Sequence, residues 1–105
     1  MRVFEITQVY SLLTGSKMNS LDSNEKYKVI KVAEDLKKVS EDYQSFIESA
    51  KEKAKDDAEL NEIVSKEAMR DCQLDIEKIG DTFDKLMKEN DWTIGQTLVL
   101  KELLK

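Results

Sequence analysis

The stretch DSNEKYKVIKVAEDLKKVSEDYQSFIESA, residues 22–50, decides the fold. It contains neither proline nor glycine, and its apolar residues step by three and four. Val29, Val32 or Ala33, Leu36, Val39, Tyr43, Phe46 and Ala50 form one stripe, while Glu34, Lys37, Lys38, Glu41, Asp42 and Glu48 occupy the solvated side. Asp22 with Glu25 three residues on has the spacing of a capping box, which satisfies backbone donors at a helix start. Glu34 and Lys38 are spaced as a supporting pair. The pattern predicts one helix over 22–55, on the order of 50 Å long. A compact domain of this size has a radius of gyration of only about 13 Å, so an elongated shape is expected. A stripe of this length requires a partner helix.

The proline- and glycine-free run continues to Ile79, but 51–59 loses every large apolar residue, and a reversal into a helical hairpin is expected there. Beyond it Leu60, Val64, Ala68, Cys72 and Ile76 recur every fourth residue, a spacing that drifts roughly 40° per step around a helix. The same residues allow a strand, with Cys72, Leu74 and Ile76 on one face and Asp71, Gln73 and Asp75 on the other. Residues 2–6 alternate in the same way. A small two-stranded sheet of 2–6 with 71–77 is therefore expected as an alternative to helix over 60–79.

Short helices flank the long one. Thr7 is read as the cap of a helix carrying Val9, Leu12 and Leu13, closed by Gly15 in a left-handed conformation. Residues 16–21 connect it to the long helix. Gly80 and Asp81 stop one element and cap the next, which carries Phe83, Leu86 and Met87 and ends at Asn90 and Asp91. Thr93 with Gln96 repeats the capping-box spacing ahead of Leu98, Val99, Leu100, Leu103 and Leu104. This last helix is the most apolar, so it completes the core or docks on a partner. Trp92 at its entrance is read as a packing anchor. The whole reads as one mostly α-helical domain over 1–105.

Composition narrows the function. The chain has 105 residues, 37% charged and 40% apolar, with a net charge of −5. That suffices for a single domain with a modest core, which helps to explain why a partner or further copies are expected. Residues 1–55 carry ten basic and nine acidic side chains, and 56–105 carry seven and thirteen. Without a basic stripe there is no counterion release to draw a phosphate backbone, so nucleic-acid binding is not expected. No apolar run approaches the roughly 18 residues of a membrane span, and the start MRVFEI is too short and charged for a signal peptide. A reducing cytosol follows as the expected compartment. Cys72, the single thiol, is read as a buried structural residue because Asp71 and Asp75 disfavour its thiolate.

Chemistry is conspicuous by its missing parts. With no histidine and one cysteine, zinc clusters, histidine-bearing di-metal bundles and a serine–histidine pair are excluded as usually built. Asp56-Asp57-Ala58-Glu59 lacks the glycine and ligand spacing of a calcium loop, and there is no phosphate-cradling motif. No catalytic, cofactor or metal residue is assigned, and the chain is expected not to be an enzyme.

The order of short strand, short helix and connection, then YKVIKVAEDLKKV at 27–39, YQSF at 43–46, the acidic DIEKI at 75–79 and two short apolar helices, resembles small helical proteins encoded by tailed bacteriophages. The chain departs from them in having no proline before the long helix and no glycine in the central turn. The resemblance implies a non-catalytic virion component or assembly accessory, located in the host cytoplasm or the virion. Its expected working surface is Val29, Leu36, Val39, Tyr43 and Phe46 with Leu100 and Leu104, packing on a larger protein or in a homo-oligomer. A cytosolic adaptor that regulates one host protein through the acidic second half, and a free-standing monomeric domain, are the alternatives.

Overall fold

The computed structural model describes residues 1–105 as five helices without a sheet: α1 (Val3–Thr14), α2 (Ser23–Lys53), α3 (Asp57–Ala68), α4 (Asp81–Glu89) and α5 (Ile94–Leu104). The long helix and its hairpin stand where the heptad stripe put them. Asp22 caps α2, its carboxylate accepting from the Glu25 amide at 2.8 Å while Glu25 Oε1 accepts from the Asp22 amide at 3.1 Å. Ala54 turns extended (φ −71°, ψ 139°), and Asp56 caps α3 by accepting from the Glu59 amide at 2.8 Å. The turn needs no glycine because both flanking conformations suit ordinary residues. The molecule measures 50 × 24 × 21 Å with a radius of gyration of 15.5 Å, elongated along α2.

Two 12-residue helices cover α2 from one side, and both run antiparallel to it. α1 lies along its first half, with Tyr10 and Leu13 beside Val29, Ile30 and Ala33, and Val3 beside Val39 and Tyr43. α3 folds back along the second half, so that Glu67 and Arg70 return to the level of Tyr43. The end of α3 and the start of α1 thus meet beside the middle of α2. The junction is stitched by the backbone: Val3 N–H donates to Arg70 O at 3.1 Å, and Cys72 N–H donates to Met1 O at 2.7 Å.

Residues 2–6 are not a strand. Val3, Ile6, Val9 and Leu13 are all buried at helical spacing, and Glu5 accepts from the Arg2 amide at 3.0 Å to close the first turn. Five alternating residues matched both periods, and the longer run decides for helix. Thr7 lies inside α1, its hydroxyl donating to Phe4 O at 2.7 Å. Gly15 ends the helix at φ −86°, without a left-handed turn. The expected sheet of 2–6 with 71–77 reduces to one antiparallel bridge, Arg2 with Asp71. Within 60–79 helix ends at Ala68, and 72–79 runs extended without a partner strand. Its alternation is nevertheless real: Leu74 and Ile76 turn inward and Gln73, Asp75 and Glu77 outward. Cys72 is a free thiol only half-buried.

The main core brings together Ile6, Val9 and Leu13 of α1, Val29, Val32 and Leu36 of α2, and Phe83, Leu86, Leu100, Leu103 and Leu104 of α4 and α5, with Leu21, Ile76 and Ile79 from the connections. Gly80, not Asp81, holds the cap position of α4, at φ 52° and ψ −120° where a side chain is strained. The Lys78 ammonium donates to the carbonyls of Glu102 and Leu103 at 3.0 and 2.9 Å, satisfying the end of α5 where a cation is favoured.

Candidate protein-packing surface

The main core stops at Leu36 on α2 and takes nothing from α3. Beyond that point α2 and α3 form a two-helix arm in which only Ala50 is buried. Its apolar residues are caught halfway. Val39, Tyr43 and Ile47 on α2 and Leu60, Ile63 and Val64 on α3 are half-buried, and Phe46 remains 36% exposed. Two helices cannot close around such side chains, which is why bundles use three or more.

Of the seven residues expected to form an interface, Val29, Leu36, Leu100 and Leu104 lie in the main core at 2% exposure or less. All four are taken up inside the chain, Val29 and Leu36 of α2 and Leu100 and Leu104 of α5 sharing one core with α1 and α4. Val39, Tyr43 and Phe46 remain together, lining a groove of about 240 Å³ where the arm joins the head, with Val3, Cys72, Glu67 and Arg70. The Arg70 guanidinium donates to Glu67 at 2.9 Å, and this hydrogen bond raises its pKa further. The pair fixes one rim of the groove.

Sequence reasoning missed further exposed apolar side chains, on two separate helices. Ile94 and Leu98 stand 82% and 61% exposed on α5, and Tyr27 and Ile30 are 69% and 47% exposed on α2. The signal was present in α5: six large apolar residues in 11 are too many for one side of a helix, so some must face outward. α5 completes the core with Leu100, Leu103 and Leu104 and offers the remainder.

The other polar clusters hold the structure together. Lys85 donates to Glu25 at 2.8 Å, joining α4 to the start of α2; this hydrogen bond, then that from the Asp22 amide, holds the Glu25 carboxyl below the ordinary range, and Glu25 raises Lys85 in turn. Partial burial works to raise Glu89, but hydrogen bonds from Ser20, through its amide and hydroxyl, and from Asn19 leave it lowered. Asn90 grips Lys17, accepting from its amide at 2.7 Å and donating to its carbonyl at 2.9 Å, and Trp92 Nε1 donates to Ser16 Oγ at 3.3 Å. The connection 16–21 is thereby stapled to the end of α4. The expected Glu34–Lys38 pair is replaced by Lys37 with Glu41 at 3.7 Å. No three His, Cys, Asp or Glu side chains converge as a metal site, and no helix is long and apolar enough to cross a membrane. Set against family models, curated proteins and solved structures, the chain matches none.

Proposed function

We propose that this protein is a non-catalytic structural or assembly accessory of the kind tailed phages encode, acting by helix packing in multiple copies in the host cytoplasm or the virion. The observation that supports the reading is the arm, an α2–α3 hairpin whose apolar side chains are only half covered by its own chain. Another arm laid against Tyr43 and Phe46 would complete a four-helix arrangement and remove those side chains from water. The expected interface of the sequence is thus narrowed to Val39, Tyr43 and Phe46.

Adaptor behaviour through acidic mimicry has less to rest on. Of the three outward carboxylates over 71–77, Asp71 is paired with the amino terminus at 3.5 Å and Glu77 lies 3.9 Å from Lys31, which leaves Asp75 alone unpaired. Light scattering across a concentration series tests the packing reading. A mass above one copy that falls to one copy in Tyr43→Glu/Phe46→Glu, with helical content intact, supports it. Single-copy mass throughout, or association abolished by moderate salt, counts against it, because packing of apolar side chains is not screened.

A further inference from the structure

Residues 72–79 cross the molecule outside every helix. Cys72 stands beside Val39 and Tyr43 of α2, and the Glu77 carboxylate lies 3.9 Å from Lys31. Those places on α2 are about 12–18 Å apart, a distance that the few residues from Cys72 to Glu77 cover only when extended. Leu74 and Ile76 turn inward onto the core and fix the register, while Gln73, Asp75 and Glu77 face water. At one end Cys72 N–H donates to Met1 O at 2.7 Å, and Cys72 O accepts from the Met1 ammonium at 3.3 Å. At the other, Ile79 N–H donates to Leu104 O at 2.8 Å. Between them no amide or carbonyl of residues 73–78 has a main-chain partner.

In an extended chain alternate residues aim their amide and carbonyl at the same edge. Leu74 and Ile76 therefore continue the edge on which Cys72 meets Met1, and the Arg2 to Asp71 bridge makes that rung antiparallel. A strand held in register with open main-chain groups is a template for another extended chain. Charge decides which chain. The outer face carries Asp71, Asp75 and Glu77, and Asp75 has no ion partner. A second copy laid antiparallel about residue 75 or 76 sets Asp75 against Asp75 or Glu77, and like charges directly opposite oppose pairing. A segment with Lys or Arg at alternate positions meets the same carboxylates with opposite charge.

We propose that residues 73–77 are a docking edge for an extended basic segment of a partner protein, added as an antiparallel strand beside Leu74 and Ile76, its alternate Lys or Arg side chains opposite Asp75 and Glu77. Main-chain hydrogen bonds supply affinity and the carboxylates supply selectivity. The edge does not depend on the assembly reading, and Tyr43→Glu/Phe46→Glu should leave it intact.

The test uses the full chain and a short capped peptide alternating lysine with valine, a strand-favouring residue, followed by fluorescence anisotropy up to about 1 mM, the range of weak complexes. The peptide should bind, and its glutamate–valine counterpart should not. Asp75→Lys/Glu77→Lys, both at exposed positions, should weaken the lysine peptide on the order of tenfold or more. N-methylation of one alternate set of peptide amides should abolish binding and of the other set should spare it, because only one set faces the edge. Amide exchange at Leu74 and Ile76, read by NMR, should slow on binding. Absence of binding overturns the proposal. So does equal binding of both N-methylated peptides, which marks charge attraction without strand addition. Slowing at Leu74 and Ile76 that follows protein concentration with no peptide present assigns the edge to a second copy and likewise overturns it.

Discussion

Truncating Leu36 to alanine separates a core residue from a docking residue. Leu36 sits at 0% exposure in the main core. Removing three carbons forfeits about 2.4 kcal/mol of transfer free energy, and the cavity left between α2 and its neighbours brings the loss to about 3–4 kcal/mol. A domain of this size has about 5–15 kcal/mol in all, so the variant should stay folded but melt about 15–25 °C lower. Trp92, the only tryptophan, stands 5.8 Å from the Phe83 ring and reports directly on that core. Urea unfolding followed by its fluorescence should show a lower midpoint with an unchanged slope. Phe46→Ala, at a side chain 36% exposed on the arm, should cost a single copy about 1–2 kcal/mol, well under the usual figure for a buried phenylalanine. A loss below about 1 kcal/mol for Leu36→Ala, on the scale of ordinary surface changes, would refute the burial of the stripe and return Leu36 to the candidate interface.

Gly80→Ala should destabilise by about 1–3 kcal/mol in thermal melts, because φ 52° with ψ −120° is a backbone state that side chains oppose. Asn90→Ala removes hydrogen bonds to both backbone groups of Lys17 and to Leu86 O; about 1–2 kcal/mol should be lost in urea unfolding. Glu25 titrates lower in the folded chain, chiefly through Lys85, so its contribution is present above the unfolded carboxylate pKa and is lost as pH falls through the lowered folded value. The urea midpoint should drop on acidification from about pH 5 downward, and Glu25→Gln should flatten that part of the profile. Amide exchange should be faster in α3, which has no buried residue, than in α1, which has four. Equal protection would show that the arm is as well closed as the head.

Much of this architecture was legible because single residues carried unambiguous physics. Asp22 with Glu25 and Thr93 with Gln96 formed the hydrogen bonds their spacing predicts, and the loss of large side chains over 51–59 marked the reversal. Residues 2–6 misled because five alternating positions fit a helix face as well as a strand. The segment 72–79 has strand-like alternation but no neighbour to pair with, so its side chains follow the pattern and its hydrogen bonds do not. Residues 16–21 carried no periodicity, and nothing in them foretold that Asn90, Glu89 and Trp92 would hold them. The candidate surface was least legible. Periodicity shows that Val29, Leu36, Leu100 and Leu104 seek an apolar neighbour, but not whether that neighbour belongs to the same chain.

That ambiguity has a geometric resolution in α2. Its 31 residues span about 46 Å at 1.5 Å per residue, and α1 and α3, 12 residues each, supply about 18 Å apiece. Laid end to end they nearly match the long helix, so the partner that its stripe demands is built from two pieces of the same chain, joined at Arg2 and Asp71. The pieces are not equivalent. α1 is itself covered by α5 and the extended segment, so its half of α2 becomes a closed core. α3 has no third layer, and its half remains a hairpin with Tyr43 and Phe46 at the edge. A sequence needs only a heptad stripe to fold this way; to act in an assembly it needs the stripe to outrun its own cover, and here it does so beyond Leu36.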